Sequence, residues 1–432
     1  MSHSSVGSVR LFRTLEYGFA LFILAMVVNA LQFLAENLYL PQPFFFDASD
    51  TFTDWFYTAY YAHHPQDAYD FWATIYPPFA FIFMKLFTIG SYYDTTDPRY
   101  FGRYHDWLSY VTMASFWVLN GLVAFWVYRK RDPTTMIPRT IAVWLGLPML
   151  FAVDRGNLVF VTYFFLFLSF GEVLQSARAR WANLAIAINL KTYVLPLVVV
   201  DLIRHRFKPM LSMLLMTLAL YLFSWFCFGY GSPKTLIDNT VSFSFSQSVN
   251  VWDIWYTTTY KPILSLIYGP YPIISAVGST KTEIAEVLIP TLTVLSQVII
   301  FAACFLCTVW RVPMSRHRAA LLVYGFTLIT VELLGYSSAL LIFLALMEKG
   351  QGVFQRLAII GAYLLAIPAD WVINSVPPLY YEGFYAGKAI SLDLGVAIGQ
   401  ELRPGIIMLI PTLLALESLI EAIKSRRTSV PV

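Results

Sequence analysis

The sequence predicts an all-α polytopic integral membrane protein, a bundle of about ten to twelve transmembrane helices, some of them short or broken. Three observations lead there. Of the 432 residues 58% are apolar and 13% charged, against roughly 45–50% and about 25% in an average soluble domain. The mean hydropathy of +0.62 is more than one soluble core absorbs. Apolar runs long enough to cross a bilayer recur along the chain, and Lys and Arg gather at a few short points between them.

The same composition excludes other classes. A net charge of +3 leaves no basic stripe to neutralise phosphates, so nucleic acid is not an expected partner. Cys227, Cys304 and Cys307 sit inside apolar runs and read as small buried hydrophobes, not as a disulfide scaffold. There is no P-loop, no glycine-rich dinucleotide fingerprint and no His-Glu-x-x-His.

The basic clusters order the elements. They are Arg129-Lys130-Arg131, Arg178 with Arg180, Arg204-His205-Arg206, Arg316-His317-Arg318, and Lys424 with Arg426-Arg427. The positive-inside rule places all of them in the cytoplasm. Arg10 and Arg13 precede an apolar run at 17–34 that lacks a small-residue cleavage site, so it reads as the first membrane helix and not as a signal peptide. An outer loop follows at 36–76, with no Lys or Arg and with Glu36, Asp47, Asp50, Asp54, Asp67 and Asp70. Its stretch from Trp55 to Tyr61 suits an aromatic helix lying at the headgroup level. Tyr76-Pro77-Pro78 closes the loop and forces an extended entry into a short, juxtamembrane run.

A crossing at 107–128 is expected next. Runs 138–153 and 158–175 then make an out-and-back pair with Asp154-Arg155-Gly156-Asn157 at its apex. Run 182–203 is too short for two full crossings, yet both ends are basic, so a short hairpin or broken helix with Lys191 near its tip is predicted. Crossings at 209–229 and 286–310 flank a second outer loop, 231–285. A pair at 319–347 turns near Gly335-Tyr336-Ser337-Ser338, and crossings at 357–373 and 401–422 flank a third outer loop, 376–400. Residues 1–432 form a single membrane domain with both termini cytoplasmic, and every conspicuous polar group falls on the outer side.

Several of those groups invite chemistry. Asp54 stands where the aromatic helix begins. It reads either as a helix cap or as a general base held at the membrane surface. Arg155 reads as half of a turn-stabilising pair with Asp154, or as a planar fork for an anionic lipid phosphate. Lys191 is flanked by apolar residues, and a charge there marks a functional site by default, the alternative being an ion pair with another helix. Glu332 and Tyr336, near one outer turn, serve either function or packing. His63 and His64 are adjacent and do not share a helix face; with Asp67 and Asp70 they form a weak metal candidate. Ser246-Gln247-Ser248-Val249-Asn250 with Trp252-Asp253 offers neutral groups under aromatic cover, suited to a sugar.

Taken in order, Asp54 with Tyr57, Tyr76-Pro77-Pro78, Gly156-Asn157, and Lys191 with Tyr193 and Pro196 resemble the glycosyltransferase family 87 enzymes of the GT-C superfamily, which use polyprenyl-phosphate sugars. The resemblance covers about residues 15–210, an N-terminal catalytic module, and leaves 211–432 as variable C-terminal helices. The family's Trp-x-His-His-like stretch in a late outer turn has no counterpart; Gly335-Tyr336-Ser337-Ser338 stands there.

The resemblance implies a GT-C-like bundle in the bacterial inner (plasma) membrane. It would transfer a sugar such as mannose from a polyprenyl-phosphate donor to a glycolipid or glycan acceptor on the extracytoplasmic side. Asp54 would be the base, Lys191 and Arg155 would lie at the donor phosphate, and Tyr57, Asn157, Tyr193, Glu332 and Tyr336 would line the substrates. No metal or other cofactor is called for if two cations carry the phosphate charge. The rival readings are a polysaccharide polymerase, with a long glycan donor, and a lipid-linked glycan flippase. The flippase would show internal repeats and a site at mid-depth; the sequence shows no repeat.

Overall fold

The computed structural model describes residues 3–44, 48–94, 101–246, 256–265, 278–375, 378–393 and 395–428. Asp47 and the 247–253 part of the serine- and tryptophan-containing stretch lie outside them. The chain is mostly helical with little sheet, as an all-α membrane protein requires. In order the helices are α1 (His3–Asn37), α2 (Thr53–His63), α3 (Pro65–Asp70), α4 (Pro78–Leu86), α5 (Phe101–His105), α6 (Trp107–Arg131), α7 (Met136–Trp144), α8 (Leu147–Asp154), α9 (Val159–Phe170) and α10 (Ala177–Leu190). They continue as α11 (Val199–Ile203), α12 (Phe207–Phe228), α13 (Pro233–Ser246), α14 (Lys261–Ser265), α15 (Ser279–Val309), α16 (Arg316–Thr330), α17 (Ala339–Ala345), α18 (Val353–Ala366) and α19 (Ile398–Thr428).

Among the described residues, 6 helical stretches are long and apolar enough to cross a membrane: Arg10–Asn37, Trp107–Arg131, Met136–Asp154, Phe207–Phe228, Glu283–Val309 and Ile398–Arg426. Shorter apolar helical pieces lie at Val159–Phe170, Thr192–Ile203, Gly335–Ala345 and Val353–Ala366. Local chemistry explains where helices stop. Asp106 caps α6, accepting from the Ser109 N–H at 3.3 Å, and Arg129, Lys130 and Arg131 close it where the helix dipole favours cations. Gly146 and Pro148 separate α7 from α8. Pro77 is extended and Pro78 opens α4, as the double proline requires. The helix through 182–203 breaks at Lys191, which is extended, and residues 192–198 wind on as a 3-10 segment around Pro196.

The basic clusters meet at one end of the bundle. Arg131 donates to the Met347 carbonyl (2.9 Å), Arg204 to that of Met314 (3.2 Å), and Arg426 lies over Trp310 (5.4 Å). Arg318 pairs with Glu348 (2.7 Å) and Glu417 (3.1 Å). A buried pair between Arg139 and Glu16 (2.8 Å) pins α7 to α1, with the Tyr363 hydroxyl donating to the same carboxylate and two α17–α18 loop carbonyls completing the guanidinium. Such a pair is tolerable because every charge is answered.

At the opposite end sit α2 to α5, α13, α14 and, between α18 and α19, four short strands in and beside the expected third outer loop. These are β1 (Val372–Ser375), β2 (Leu379–Gly383), β3 (Lys388–Leu392) and β4 (Gly395–Ala397), with β1 antiparallel to β4 and β2 antiparallel to β3. Alternating exposure along β2 and the positive φ of Gly387 make the β2–β3 pair a hairpin.

Burial opposes the charge of Glu348, but hydrogen bonds from His317 and Arg318 outweigh it and hold its carboxyl down to about 2. A carboxyl depressed on folding contributes stability above its unfolded value near 4.5, and that contribution is lost as pH falls toward 2. The expected result is a thermal midpoint that drops between about pH 5 and pH 2, roughly the window the two values bracket. In Glu348→Gln the midpoint is lower at pH 7 and the acid-dependent drop is smaller, as differential scanning measures.

Candidate functional site

The site is assembled where α2 begins and where α8 turns into α9. Residues 50–54 dock on the 154–157 turn through their backbone. The Phe52 N–H donates to the Asp154 carbonyl (2.6 Å) and the Asp54 N–H to that of Arg155 (3.1 Å). Phe52 precedes α2 in the left-handed region (φ 61), and Gly156 turns with φ +62. A Cβ at Gly156 would lie 2.9 Å from the Phe52 carbonyl oxygen and 2.9 Å from the Trp55 Cβ. Glycine is needed there for both conformation and room.

Asp54 is not a helix cap. Phe52 holds the cap position without a side-chain bond, and the Asp54 carboxylate turns away from its helix. Its Oδ1 accepts from Arg155 Nη2 (3.2 Å) and its Oδ2 from Asn157 Nδ2 (2.7 Å). Asn157 is buried and fully used: Nδ2 also donates to the Tyr336 hydroxyl (3.3 Å), and Oδ1 accepts from the Val159 N–H (3.0 Å). The carboxylate keeps lone pairs unclaimed by these two donors, and its side chain is 28% exposed. It is oriented and reachable.

Arg155 pairs with two carboxylates, Asp50 (2.7 Å) and Asp54 (3.2 Å), and not in the turn-local way with Asp154. Burial works against its charge; Asp54 and Asp50 outweigh that and hold Arg155 above its ordinary value. Lys191 sits at the break after α10. Its Nζ donates to the Tyr76 hydroxyl (2.6 Å) and lies 4.2 Å from the centre of that ring. Among the described residues no carboxylate pairs with it, so the ion pair considered from sequence is absent. Asp54 acts electrostatically on both Lys191 and Tyr76, which brings the acid and the two cations into one region. Burial pushes the Tyr76 hydroxyl well up, so it stays protonated.

The other expected residues divide. Tyr336 is buried beside Asn157, and the Tyr163 hydroxyl donates to its carbonyl (2.7 Å). Tyr193 lies deeper, near Tyr163, Tyr324 and Ser337. Tyr57 follows Asp54 on α2, half-buried, its ring against Tyr61. Glu332 is used differently: it clamps the second outer loop. Its oxygens accept from the N–H and hydroxyl of both Thr258 and Thr259 (2.7–3.1 Å) and from the Leu334 N–H (2.9 Å). That saturates the carboxylate and makes a substrate contact costly.

The aromatic helix is not spread at the surface. Trp55 and Phe56 are completely buried, and Trp55 stacks on Phe160 of α9 (6.0 Å, 17°); packing against protein displaces the lipid interface. His63 engages the Thr88 hydroxyl (3.0 Å) and His64 the Tyr60 carbonyl (3.0 Å).

Three contributors were not singled out from sequence for their positions: Asp50 as the nearer partner of Arg155, Tyr76 as the seat of Lys191, and Arg103 beneath the 49–53 loop. Nothing local in the sequence marked Arg103, whose partners lie about fifty residues earlier. Comparison with protein-family models, with curated proteins and with solved structures finds no match to this chain.

Gly156→Ala is expected to destabilise the protein by roughly 1–3 kcal/mol, because strain and crowding coincide. Gly387→Ala, also at positive φ but with open space around it, loses less. Thermal denaturation of the two variants side by side checks the ranking.

Proposed function

We propose that this chain is an integral-membrane glycosyltransferase of the GT-C type. It moves a sugar from a polyprenyl-phosphate donor to a lipid-linked or glycan acceptor. The observation that supports it most is that an oriented carboxylate, Asp54, and the half-buried Lys191 ammonium lie in one region, with no described carboxylate in an ion pair with Lys191. A general base and a cation for a leaving phosphate are what the reaction needs side by side.

In this reading the acceptor hydroxyl binds at the open lone pairs of Asp54. Asp54 takes its proton as the oxygen attacks C1 of the sugar. The bond from C1 to the phosphate oxygen breaks, and its electrons leave with the polyprenyl phosphate. Lys191 stabilises the charge that builds there. Arg155 acts chiefly on Asp54, since Asp50 and Asp54 already occupy it; this shifts it from the direct phosphate contact expected from sequence. Attack opposite the leaving group inverts the anomeric centre. Asn157 fixes the carboxylate and Tyr336 stands behind Asn157. The positive-inside rule puts the basic end in the cytoplasm and this site at the outer face of a bacterial inner membrane.

The gathering of polar groups at one end, and not at mid-depth, favours a transferase over a flippase. A polymerase shares the chemistry and differs in the length of its donor glycan.

Purified protein incubated with a panel of polyprenyl-phosphate sugars and membrane lipids is expected to yield a lipid or glycan heavier by one sugar, read by mass spectrometry. Asp54→Asn, folded by its melting curve, is expected to lose about 10² or more in transfer rate. Near-normal transfer by that variant would falsify the assignment of the base. Lys191→Met is expected to lower turnover by a comparable factor, about 10²–10³ as for a removed oxyanion donor. An unchanged rate would remove Lys191 from the phosphate site.

A further inference from the structure

The segment before Asp54 is neither helix nor strand, and it contains Phe52 at a φ of 61, which a non-glycine residue adopts only when its surroundings impose it. Its backbone donors at Phe52 and Asp54 are taken by the 154–157 turn. Its acceptors face the other way, onto Arg103 of α5. Arg103 is 3% exposed. Its Nη1 reaches the Ser49 carbonyl (2.6 Å), the Thr51 carbonyl (3.1 Å) and the Thr53 hydroxyl (3.0 Å). Tyr110 of α6 donates its hydroxyl to the Arg103 carbonyl, which ties this short helix to a long one.

The guanidinium is covered from the third outer loop. Phe384, just past β2, lies 4.8 Å from it, and the Phe384 N–H donates to the Ala48 carbonyl (3.1 Å). Phe384 also stacks on Tyr104 (5.5 Å, 14°) and meets Phe52 edge-on (5.7 Å). A cation under an aromatic face and away from water gains from the ring's quadrupole. The β2–β3 hairpin is thereby joined to the loop that carries Asp54.

We propose that Arg103 is a positioning residue for Asp54, acting through the backbone of residues 49–53, with Phe384 holding the guanidinium in place. The proposal rests on the glycosyltransferase reading for its activity measurement alone. Lysine keeps the charge but loses the planar guanidinium face that lies against Phe384.

The test uses the full-length protein in lipid nanodiscs, with Cys227, Cys304 and Cys307 changed to alanine and a buried reporter, Ala48→Cys, in the loop. Arg103→Lys is expected to speed labelling of that cysteine by a water-soluble maleimide about tenfold and to lower transfer turnover about tenfold or more, while KM for the acceptor stays within about twofold. A purely structural role would instead lower the melting temperature and leave the turnover of the folded fraction intact. Phe384→Leu keeps the hydrogen bonds and shifts both readouts in the same direction by less; it decides the matter if Arg103→Lys does not fold. Labelling and turnover unchanged from the parent overturn the proposal, as does faster labelling with unchanged turnover. If the parent transfers no sugar from any donor, the enzyme reading fails, and unchanged labelling still overturns the claim that Arg103 holds the loop.

Discussion

The site depends on one constraint: a short irregular segment, 50–54, must be held against the 154–157 turn so that a carboxylate points away from its own helix. Everything around it serves that end. Gly156 makes the close approach possible, two backbone hydrogen bonds fix the register, and Arg155 and Asn157 each claim one oxygen of Asp54. An ionised carboxylate near a membrane surface is expensive unless paired and hydrogen-bonded, and here those partners also aim it. The same contacts leave lone pairs unclaimed in the region where Lys191 and Tyr76 lie.

Charge distribution separates the two ends of the bundle. At the basic end cations and carboxylates are interlocked, as in the pairs of Arg318 with Glu348 and Glu417 and of Arg139 with Glu16, and their effect is to fasten helices. At the other end Lys191 is seated on a tyrosine hydroxyl and ring. A cation with that seat and no described carboxylate partner retains the capacity to meet an anionic ligand.

Much of this was legible in the sequence wherever a local cause was sufficient. The double proline after Tyr76 set the extended entry to α4, and a run too short for two crossings yet basic at both ends foretold the break near Lys191. The Gly156-Asn157 turn was readable as the apex of a helical pair. What was not legible came from contacts between distant segments. Nothing local tells Arg155 to pair with Asp50 and Asp54, about a hundred residues earlier, in preference to its neighbour Asp154. Glu332 looked like an outer-face ligand group until Thr258 and Thr259 were found to saturate it. The aromatic pattern of α2 suits a lipid interface and a protein core equally, and only the packing of Trp55 on Phe160 decides between them. The hairpin at 379–392 alternates too briefly to stand out from a loop.

The convergence of Asp54 and Asn157 is tested most directly by short-range cross-linking in native membranes. In a chain with Cys227, Cys304 and Cys307 changed to alanine, cysteines at positions 54 and 157 should be bridged within one molecule by a short bis-thiosulfonate, seen as the loss of both free thiols. Cysteines at 54 and 130, at opposite ends of the bundle, should each react singly. Two thiols at 54 and 157 that label separately and never bridge would contradict the account.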